Sequence, residues 1–185
     1  MTQIEVVDDP LDDVTLVTRA RDGDLRAYEV LVLRYQGQMY RFAARMLANR
    51  ADAEDVVQEV FLTAWRKLEQ LQEGAAFVSW LYRTTTNRCL NVIRTRKPQA
   101  EVEPEEHEAT GGLPERSIEV SEQMAALERA LPTLTKEQRA CWLLREVDGL
   151  SYEEIAKTIG CSVTVVRGRI ARARVQLAEV MAPWR

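Results

Sequence analysis

Apolar side chains recur every three or four residues along most of this chain, which is the spacing that buries one face of an α-helix. A short pattern of this kind runs over residues 14–20 and is broken at Asp22-Gly23-Asp24. From Leu25 a longer stripe follows, made of Leu31, Tyr35, Met39, Phe42 and Met46. The pattern therefore predicts a short helix followed by a long one.

A third helix is predicted over residues 52–68, DAEDVVQEVFLTAWRKL, with Asp52 as its N-cap. One apolar face combines Val57, Phe61, Ala64 and Leu68. This face is widened by Val56, Val60 and Trp65. A bulky apolar face usually belongs to the core, but the excess width leaves room for a partner-binding edge.

A fourth helical pattern, FVSWLYRTTTNRCLNVIRTRK, opens at Phe77 after a loop over residues 69–76. Its apolar positions are Trp80, Leu81, Leu90 and Ile93. Arginines occupy other faces, and Asn87 and Asn91 lie one turn apart. Aromatic, cationic and amide groups together suit unstacked bases and phosphates, whereas a packed helix with a solvated basic side explains the pattern equally well.

A linker is predicted over residues 98–117, where prolines, Gly111-Gly112 and many glutamates replace large apolar residues. Helical pattern resumes near Ser121 and stops at Pro132, and Thr135 with Gln138 forms a capping box that opens the next helix. No strand is predicted. The fold class is therefore all-α, with two small helical domains joined by an acidic flexible linker.

The last segment, residues 150–177, has the pattern of a helix-turn-helix. Ser151 and Glu154 form a capping box, Gly160 suits a left-handed helix end, and Ser162 caps the second helix. The second helix carries Arg167, Arg169, Arg172 and Arg174. Arginines of this density suit the phosphates and base edges of a major groove, although an amphipathic hairpin with a solvated basic face remains the alternative.

Charge is distributed unevenly, and this matters more than the net charge of −4. Residues 25–97 hold twelve bases and seven acids, and residues 150–185 hold six bases and three acids. The acids concentrate in residues 1–24 and 98–130. The net charge alone would argue against a nucleic-acid-binding protein, but two basic blocks separated by an acidic one reverse that indication.

Other classes of function have little support. There is no phosphate-binding glycine loop and no nucleophile elbow, so we expect no enzyme activity and no cofactor. We also expect no metal site, because His107 is the one histidine and has no cysteine at ligand spacing. No apolar run could span a membrane and no signal peptide is evident, which predicts a cytoplasmic protein without membrane insertion.

The ordered set of motifs resembles a bacterial RNA polymerase sigma factor of the extracytoplasmic-function (ECF) type, over about residues 14 to 180. Its three stretches are DAEDVVQEVFLTAW, FVSWLYRTTTNRCLNVIR and LSYEEIAKTIGCSVTVVRGRIARAR. The resemblance implies an acidic tail over residues 1–13, sigma domain 2 over 14–97, an acidic linker over 98–120 and sigma domain 4 over 121–185. It also implies promoter-specific transcription initiation with core RNA polymerase.

The resemblance further implies which residues act in domain 2. The clamp coiled coil of the largest polymerase subunit would be bound by Asp55, Gln58, Phe61 and Trp65. The loop over residues 69–77 and the helix after it would capture a flipped base and hold the melted −10 element. On that helix the resemblance assigns −10 contacts to Asn87, Arg88, Asn91 and Arg94.

In domain 4 the resemblance implies recognition of the −35 element as duplex DNA, with contact to the flap of the second-largest polymerase subunit. The aligned positions are Ser162, Thr164, Arg167, Gly168, Arg169 and Arg172. Arg167 is the first candidate for a base contact. Val165 and Gly168 depart from the threonine and serine that are common in the family, so the −35 sequence itself is not predicted.

The resemblance also implies an anti-sigma factor that covers the polymerase-binding surfaces. Two alternatives stay open. A stand-alone helix-turn-helix transcriptional regulator would explain residues 150–177 alone, and an interaction adaptor would leave the basic faces merely solvated. For the three cysteines we favour packing over a redox role, with Cys161 at a buried position.

Overall fold

The computed structural model describes residues 11–71, 73–96 and 115–182, and the side chains of the last range from residue 122 onward. These residues contain α-helices and short 3-10 turns and no β-strand, which confirms the all-α prediction. The helices are α1 (Asp13–Arg21), α2 (Leu25–Leu47), α3 (Arg50–Lys67), α4 (Phe77–Thr95), α5 (Glu115–Ala130), α6 (Lys136–Glu146), α7 (Tyr152–Ile159) and α8 (Val163–Val180).

The chain divides into two compact units, residues 1–89 and 90–185, with the division inside α4. In the first unit the predicted stripe of α2 forms the core, because Leu31, Met39, Phe42 and Met46 are almost fully buried, whereas Tyr35 is only half-buried. Helix α1 packs on α2 through Leu16, Val17 and Ala20. None of the described helices is long and apolar enough to cross a bilayer.

The start of α3 differs from the prediction. Asn49, and not Asp52, is the N-cap, since its side chain accepts the backbone N–H of Asp52 at 2.9 Å and the helix begins at Arg50. The turn is tight because Ala48 adopts the left-handed conformation at φ 49°. Asp52 instead lies in the first turn, where its carboxylate faces the positive end of the helix.

The buried face of α3 agrees with most of the prediction but extends further toward Ala53. Ala53, Val56, Val60 and Ala64 form the core face, whereas Val57 is only half-buried. The sequence holds two overlapping apolar stripes, and the small alanines at both ends of one stripe allow α3 to approach α2 closely. Phe61 and Leu68 of the predicted face are also buried, and the side of α3 left at the surface carries Leu62 and Trp65.

The buried face of α4 differs from the predicted one and includes polar residues. Leu81 is buried as predicted, but Trp80, Leu90 and Ile93 are only half-buried. The core positions are instead Phe77, Tyr82, Thr85, Thr86 and Cys89. Their contacts with α2 include an edge-on pair of Phe42 and Tyr82 rings, with centroids 6.5 Å apart, and a hydrogen bond from the Thr85 hydroxyl to the Met39 sulfur.

In the second unit the structure confirms the predicted helix-turn-helix. Both capping boxes form, at Thr135 and Ser151, and Gly160 ends α7 with a φ of 75° that glycine adopts without strain. Ile155, Val166, Ile170 and Leu177 are buried, as are Leu143 and Leu144 of α6, which packs on both α7 and α8.

Helix α5 begins at Glu115, earlier than the sequence pattern indicated, so residues 115–120 are helical although the linker was predicted to extend to residue 120. The low apolar content of this segment suggested a linker, but glutamate and arginine are good helix formers. The rest of the predicted linker, and residues 1–10 of the predicted tail, lie outside the described residues.

Candidate functional sites

An open apolar groove runs between α2 and α3 in the first unit and has a volume of about 780 Å³. We call it the α2–α3 groove. Its apolar lining is Leu25, Tyr28, Val32, Tyr40, Val57, Phe61, Leu62 and Trp65, with Gln36, Gly37, Glu54 and Gln58 beside them. Leu25, Leu62 and Trp65 are 66%, 52% and 37% exposed, which is unusual for side chains of this size.

The structure brings together three of the four residues predicted to bind core polymerase. Gln58, Phe61 and Trp65 line the groove, and Asp55 is exposed one turn before Gln58 without lining it. The prediction missed Leu25, Tyr28 and Leu62. A signal for Leu25 and Tyr28 existed, since they lie three apart at the start of α2 and off its buried stripe, but each alone looks like ordinary surface.

Tyr28 ties the two walls of the groove together. Its hydroxyl donates a hydrogen bond of 2.5 Å to the backbone carbonyl of Phe61, and its ring lies 4.9 Å from the ring of Trp65. Burial raises the pKa of Tyr28 well above its ordinary value, so the hydroxyl stays protonated and continues to donate. Tyr28 and Trp65 therefore hold defined positions in the groove.

The four predicted −10 residues lie on α4, with Asn87, Asn91 and Arg94 exposed and Arg88 half-exposed. Arg88 is already engaged, because its guanidinium forms an ion pair with Glu59 of α3. The Asn91 side-chain oxygen accepts a hydrogen bond of 2.7 Å from Arg94. Only Asn87 presents its amide without such a contact among those described, and α4 as a whole presents a polar and cationic face.

A second cavity of about 430 Å³ adjoins the turn between α3 and α4. We call it the loop pocket, and it is lined by Lys67, Gln70, Leu71, Glu73, Ala76 and Trp80. The resemblance had placed base capture in this loop without naming residues. A cation, an amide and an indole around one cavity provide groups that stack on a base and bind a phosphate.

The predicted −35 residues lie at the start of α8. Ser162, Thr164, Arg167 and Arg172 are exposed, whereas Gly168 and Arg169 are half-buried. The Ser162 hydroxyl caps the helix by accepting the N–H of Val165 at 3.3 Å. Arg169 points back to the turn, with its guanidinium 3.6 Å from the Cys161 sulfur. Arg169 is therefore less accessible than Arg167 and Arg172.

Arg167 is oriented by Tyr152, the first residue of α7. The Arg167 guanidinium lies 5.3 Å from the centre of the Tyr152 ring, and Arg145 of α6 lies 4.8 Å from the same ring. Cation–π contacts of this kind restrict a flexible side chain and leave its N–H groups available. The predictions missed Tyr152 and Arg145. No sequence pattern shows that Tyr152 of α7 lies beside Arg145 of α6 and Arg167 of α8.

The three cysteines are free thiols that differ in burial. Burial raises the pKa of Cys89 to about 12 and that of Cys141 to about 11. Cys161 was predicted to be buried but is only partly so, because the turn between α7 and α8 leaves one side open. Within the described ranges no three side chains could hold a metal ion. His107 lies outside them.

Comparison with known proteins defines the class of this fold. Residues 31–99 match sigma-70 region 2, and residues 124–177 match sigma-70 region 4. The ECF RNA polymerase sigma-E factor of Escherichia coli (strain K12) is 38% identical over 184 residues, which cover 94% of this chain and 96% of that protein. The RNA polymerase sigma-H factor of Pseudomonas aeruginosa is 36% identical over 182 residues, covering 92% and 94%.

Solved structures share the fold. The structure of CnrH in complex with the cytosolic domain of CnrY matches with a TM-score of 0.71 at 27% identity, covering 92% of this chain and 97% of that one. The sigma factor RpoE in complex with the anti-sigma factor NepR from Bartonella quintana matches with a TM-score of 0.65 at 23% identity, covering 84% and 96%, and supports the fold alone.

The fold and the matches to sigma-70 regions 2 and 4 define a sigma factor, the class of protein that binds core RNA polymerase and directs it to promoters. Within that class, the chain belongs to the ECF family of RNA polymerase sigma factors. This confirms the resemblance found in the sequence. A stand-alone regulator would not account for residues 31–99, so that alternative is no longer needed.

Proposed function

We propose that the α2–α3 groove is the surface that binds the clamp coiled coil of the largest polymerase subunit. The observation that carries this proposal is the set of large side chains left exposed on the groove, namely Leu25, Leu62 and Trp65. The apolar side chains lie beside Gln36, Glu54 and Gln58, and Asp55 is exposed next to Glu54 on the same helix. An apolar centre with polar edges is the composition of a protein interface.

The −10 element is assigned to α4 and the loop pocket. Asn87 and Arg88 would contact the melted strand, with Asn91 and Arg94 one turn further on. Extruding a base costs a few kcal/mol, which stacking and hydrogen bonds inside a pocket can offset. Support comes from the cavity at the turn and from the polar face of α4, both in a segment that matches sigma-70 region 2.

The −35 element is assigned to the start of α8, with Arg167 as the principal base contact and Thr164 and Arg172 beside it. The exposure of Arg167 and its contact with Tyr152 support this assignment. The proposed domains are 14–97 and 121–185, joined by an acidic linker over 98–120. The second domain would also contact the flap of the second-largest polymerase subunit.

We infer that an anti-sigma factor regulates this protein by covering the same groove. CnrH, which shares the fold at 27% identity, was solved in complex with the cytosolic domain of CnrY. An exposed apolar groove of this size is a suitable target for an amphipathic helix. The protein would act in the cytoplasm, where core polymerase and promoter DNA are found.

The proposal is tested by measuring the affinity of a labelled promoter duplex for the protein, with and without core polymerase. We expect tight, salt-sensitive and sequence-specific binding only with core present. Asp55→Arg should weaken assembly with core, and Arg167→Glu should weaken promoter binding by the assembled complex. Glu179→Arg, a charge reversal at an exposed position near the end of α8, is the control. Equal promoter binding without core would contradict the proposal.

A further inference from the structure

The loop between α3 and α4, which forms the loop pocket, is contacted by α1 at two positions. The guanidinium of Arg21, the last residue of α1, donates a hydrogen bond to the backbone carbonyl of Leu71. Arg21 is half-buried, and the Leu71 side chain is 8% exposed, so this contact joins two ordered groups at the base of the loop. A charged donor to a backbone oxygen is among the stronger hydrogen bonds in proteins.

A second contact joins α1 to the same loop at Gly74. A Cβ atom at Gly74 would lie 3.0 Å from the Cα of Val14 and 3.2 Å from its carbonyl oxygen. Both atoms belong to the backbone of α1, so no side-chain rotation could relieve the crowding. Any larger residue at position 74 would therefore displace the loop from α1, or α1 from the rest of the unit.

Helix α1 is itself fixed, so the loop is the part that would move. The Asp13 carboxylate forms an ion pair with Arg34 at 2.5 Å and accepts a hydrogen bond from the hydroxyl of Tyr35, both on α2. Leu16 and Val17 are completely buried. Moving α1 would break these contacts together, whereas the loop is short and the described part of it forms two 3-10 turns.

The two anchored residues belong to the segment that surrounds the cavity. Leu71 lines the loop pocket, and Gly74 lies between the lining residues Glu73 and Ala76. The backbone that α1 holds is thus the backbone that shapes the pocket. A binding pocket loses selectivity when its walls move by about 1 Å, because hydrogen bonds and stacking both depend steeply on distance.

We propose that α1, through Arg21 and the Val14–Gly74 contact, positions the loop and thereby sets the base preference of the loop pocket. This inference rests on the proposed role of the pocket in −10 recognition. Arg21 and Gly74 are positioning residues, since neither lines the pocket. The ligand is a single extruded base of the promoter, and α1 acts on it only through the loop backbone.

The test compares full-length wild type with Arg21→Met, Arg21→Lys and Gly74→Ala, using transcription with core polymerase from templates that differ only at single −10 positions. Arg26→Met is the matched control, because Arg26 is exposed at the start of α2 and lines neither cavity. The readout is the transcript ratio between the preferred base and the next best base. Affinity for core polymerase and the thermal midpoint are measured for every variant.

We expect Arg21→Met and Gly74→Ala to lower the ratio by about three- to tenfold, the range for loss of one hydrogen bond. Affinity for core should stay within about twofold of wild type, since the α2–α3 groove is unaltered. Arg21→Lys should restore part of the ratio because it retains a donor. If Gly74→Ala does not fold, the two Arg21 variants decide.

An unchanged ratio in folded variants, or an equal loss of transcription from every template, would overturn the inference and leave the proposed function standing. Failure of the proposed function looks different. In that case wild type itself would give no transcript with core polymerase, or would show no base preference at the −10 positions.

Discussion

The indole ring of Trp65 packs on the phenol ring of Tyr28, with ring centroids 4.9 Å apart and ring planes inclined by 52°. Because Tyr28 is also bonded to the carbonyl of Phe61, the aromatic side chains of the α2–α3 groove are ordered before any partner arrives. An interface that is already ordered loses less conformational entropy on binding. We therefore expect Tyr28 and Trp65 to reorder little when a partner binds the groove.

Trp65→Ala should therefore weaken binding to core polymerase by at least about tenfold, as expected for an aromatic residue near the centre of an interface. The thermal midpoint should change little, because the side chain is partly exposed in the free protein. Trp65→Phe keeps a ring against Tyr28 and should retain most of the affinity. Titration of labelled protein with core polymerase measures the effect, and wild-type affinity in Trp65→Ala would contradict it.

Gly168→Ala should stabilise the second unit by about 0.5–1 kcal/mol, because glycine inside a helix costs conformational entropy that alanine does not. The structure has room for the change, since an added Cβ would approach only the Arg172 side chain, at 3.5 Å. Urea denaturation followed by circular dichroism measures the free energy of unfolding. A loss of stability would mean that α8 is packed more closely than described.

The three cysteines should react with iodoacetamide in a fixed order, with Cys161 first. A thiol with a pKa of about 11, like that of Cys141, is roughly 0.03% ionised at pH 7.5, and Cys89 is ionised still less. Both are also buried, so their alkylation requires the protein to open. Peptide mass spectrometry over time gives the three rates, and equal rates in native protein would contradict the burial described.

The capping box of α7 should make part of the stability depend on pH. Hydrogen bonds from Ser151, from its backbone N–H first, lower the pKa of Glu154 below its ordinary value of 4.5. A carboxyl whose pKa is lower in the folded state stabilises that state above about pH 4.5 and loses this contribution as the pH falls through the lowered pKa.

The matched variant is Glu154→Gln, which keeps the capping geometry but cannot ionise. We expect it to be less stable than wild type at pH 7 and to approach wild type as the pH falls toward 3. Urea denaturation at several pH values gives both curves. Parallel curves across this range would show that Glu154 makes no ionised contact in the folded protein.

Much of the fold follows from local signals in the sequence. The two capping boxes, the left-handed Gly160 and the stripe of α2 each depend on residues close together in the chain, and the structure confirms them all. On α3 the prediction was right for Phe61, Ala64 and Leu68 but not for Val57, which is only half-buried, because two apolar stripes overlap there and only packing against α2 decides which positions are covered. Local pattern cannot make that choice.

The candidate sites were predictable to the extent that a single helix carries them. Gln58, Phe61 and Trp65 were assigned through the family resemblance and share one helix face in the structure, and Arg167 was singled out on a basic helix, but their roles stay predictions. Tyr28 and Tyr152 were missed, since each acts on a residue of another helix. The contact between Val14 of α1 and Gly74 joins residues 60 apart in the chain, and no sequence pattern indicates it.

The most direct test of the central claim is run-off transcription from a promoter library with purified core polymerase, followed by sequencing of the transcripts. We expect initiation at sites that share two upstream elements with fixed spacing. Initiation should be lost in both Asp55→Arg and Arg167→Glu, the first through core binding and the second through the −35 element. If the protein directs no initiation but shifts duplex DNA by itself, the assignment of its two surfaces to polymerase and promoter is wrong.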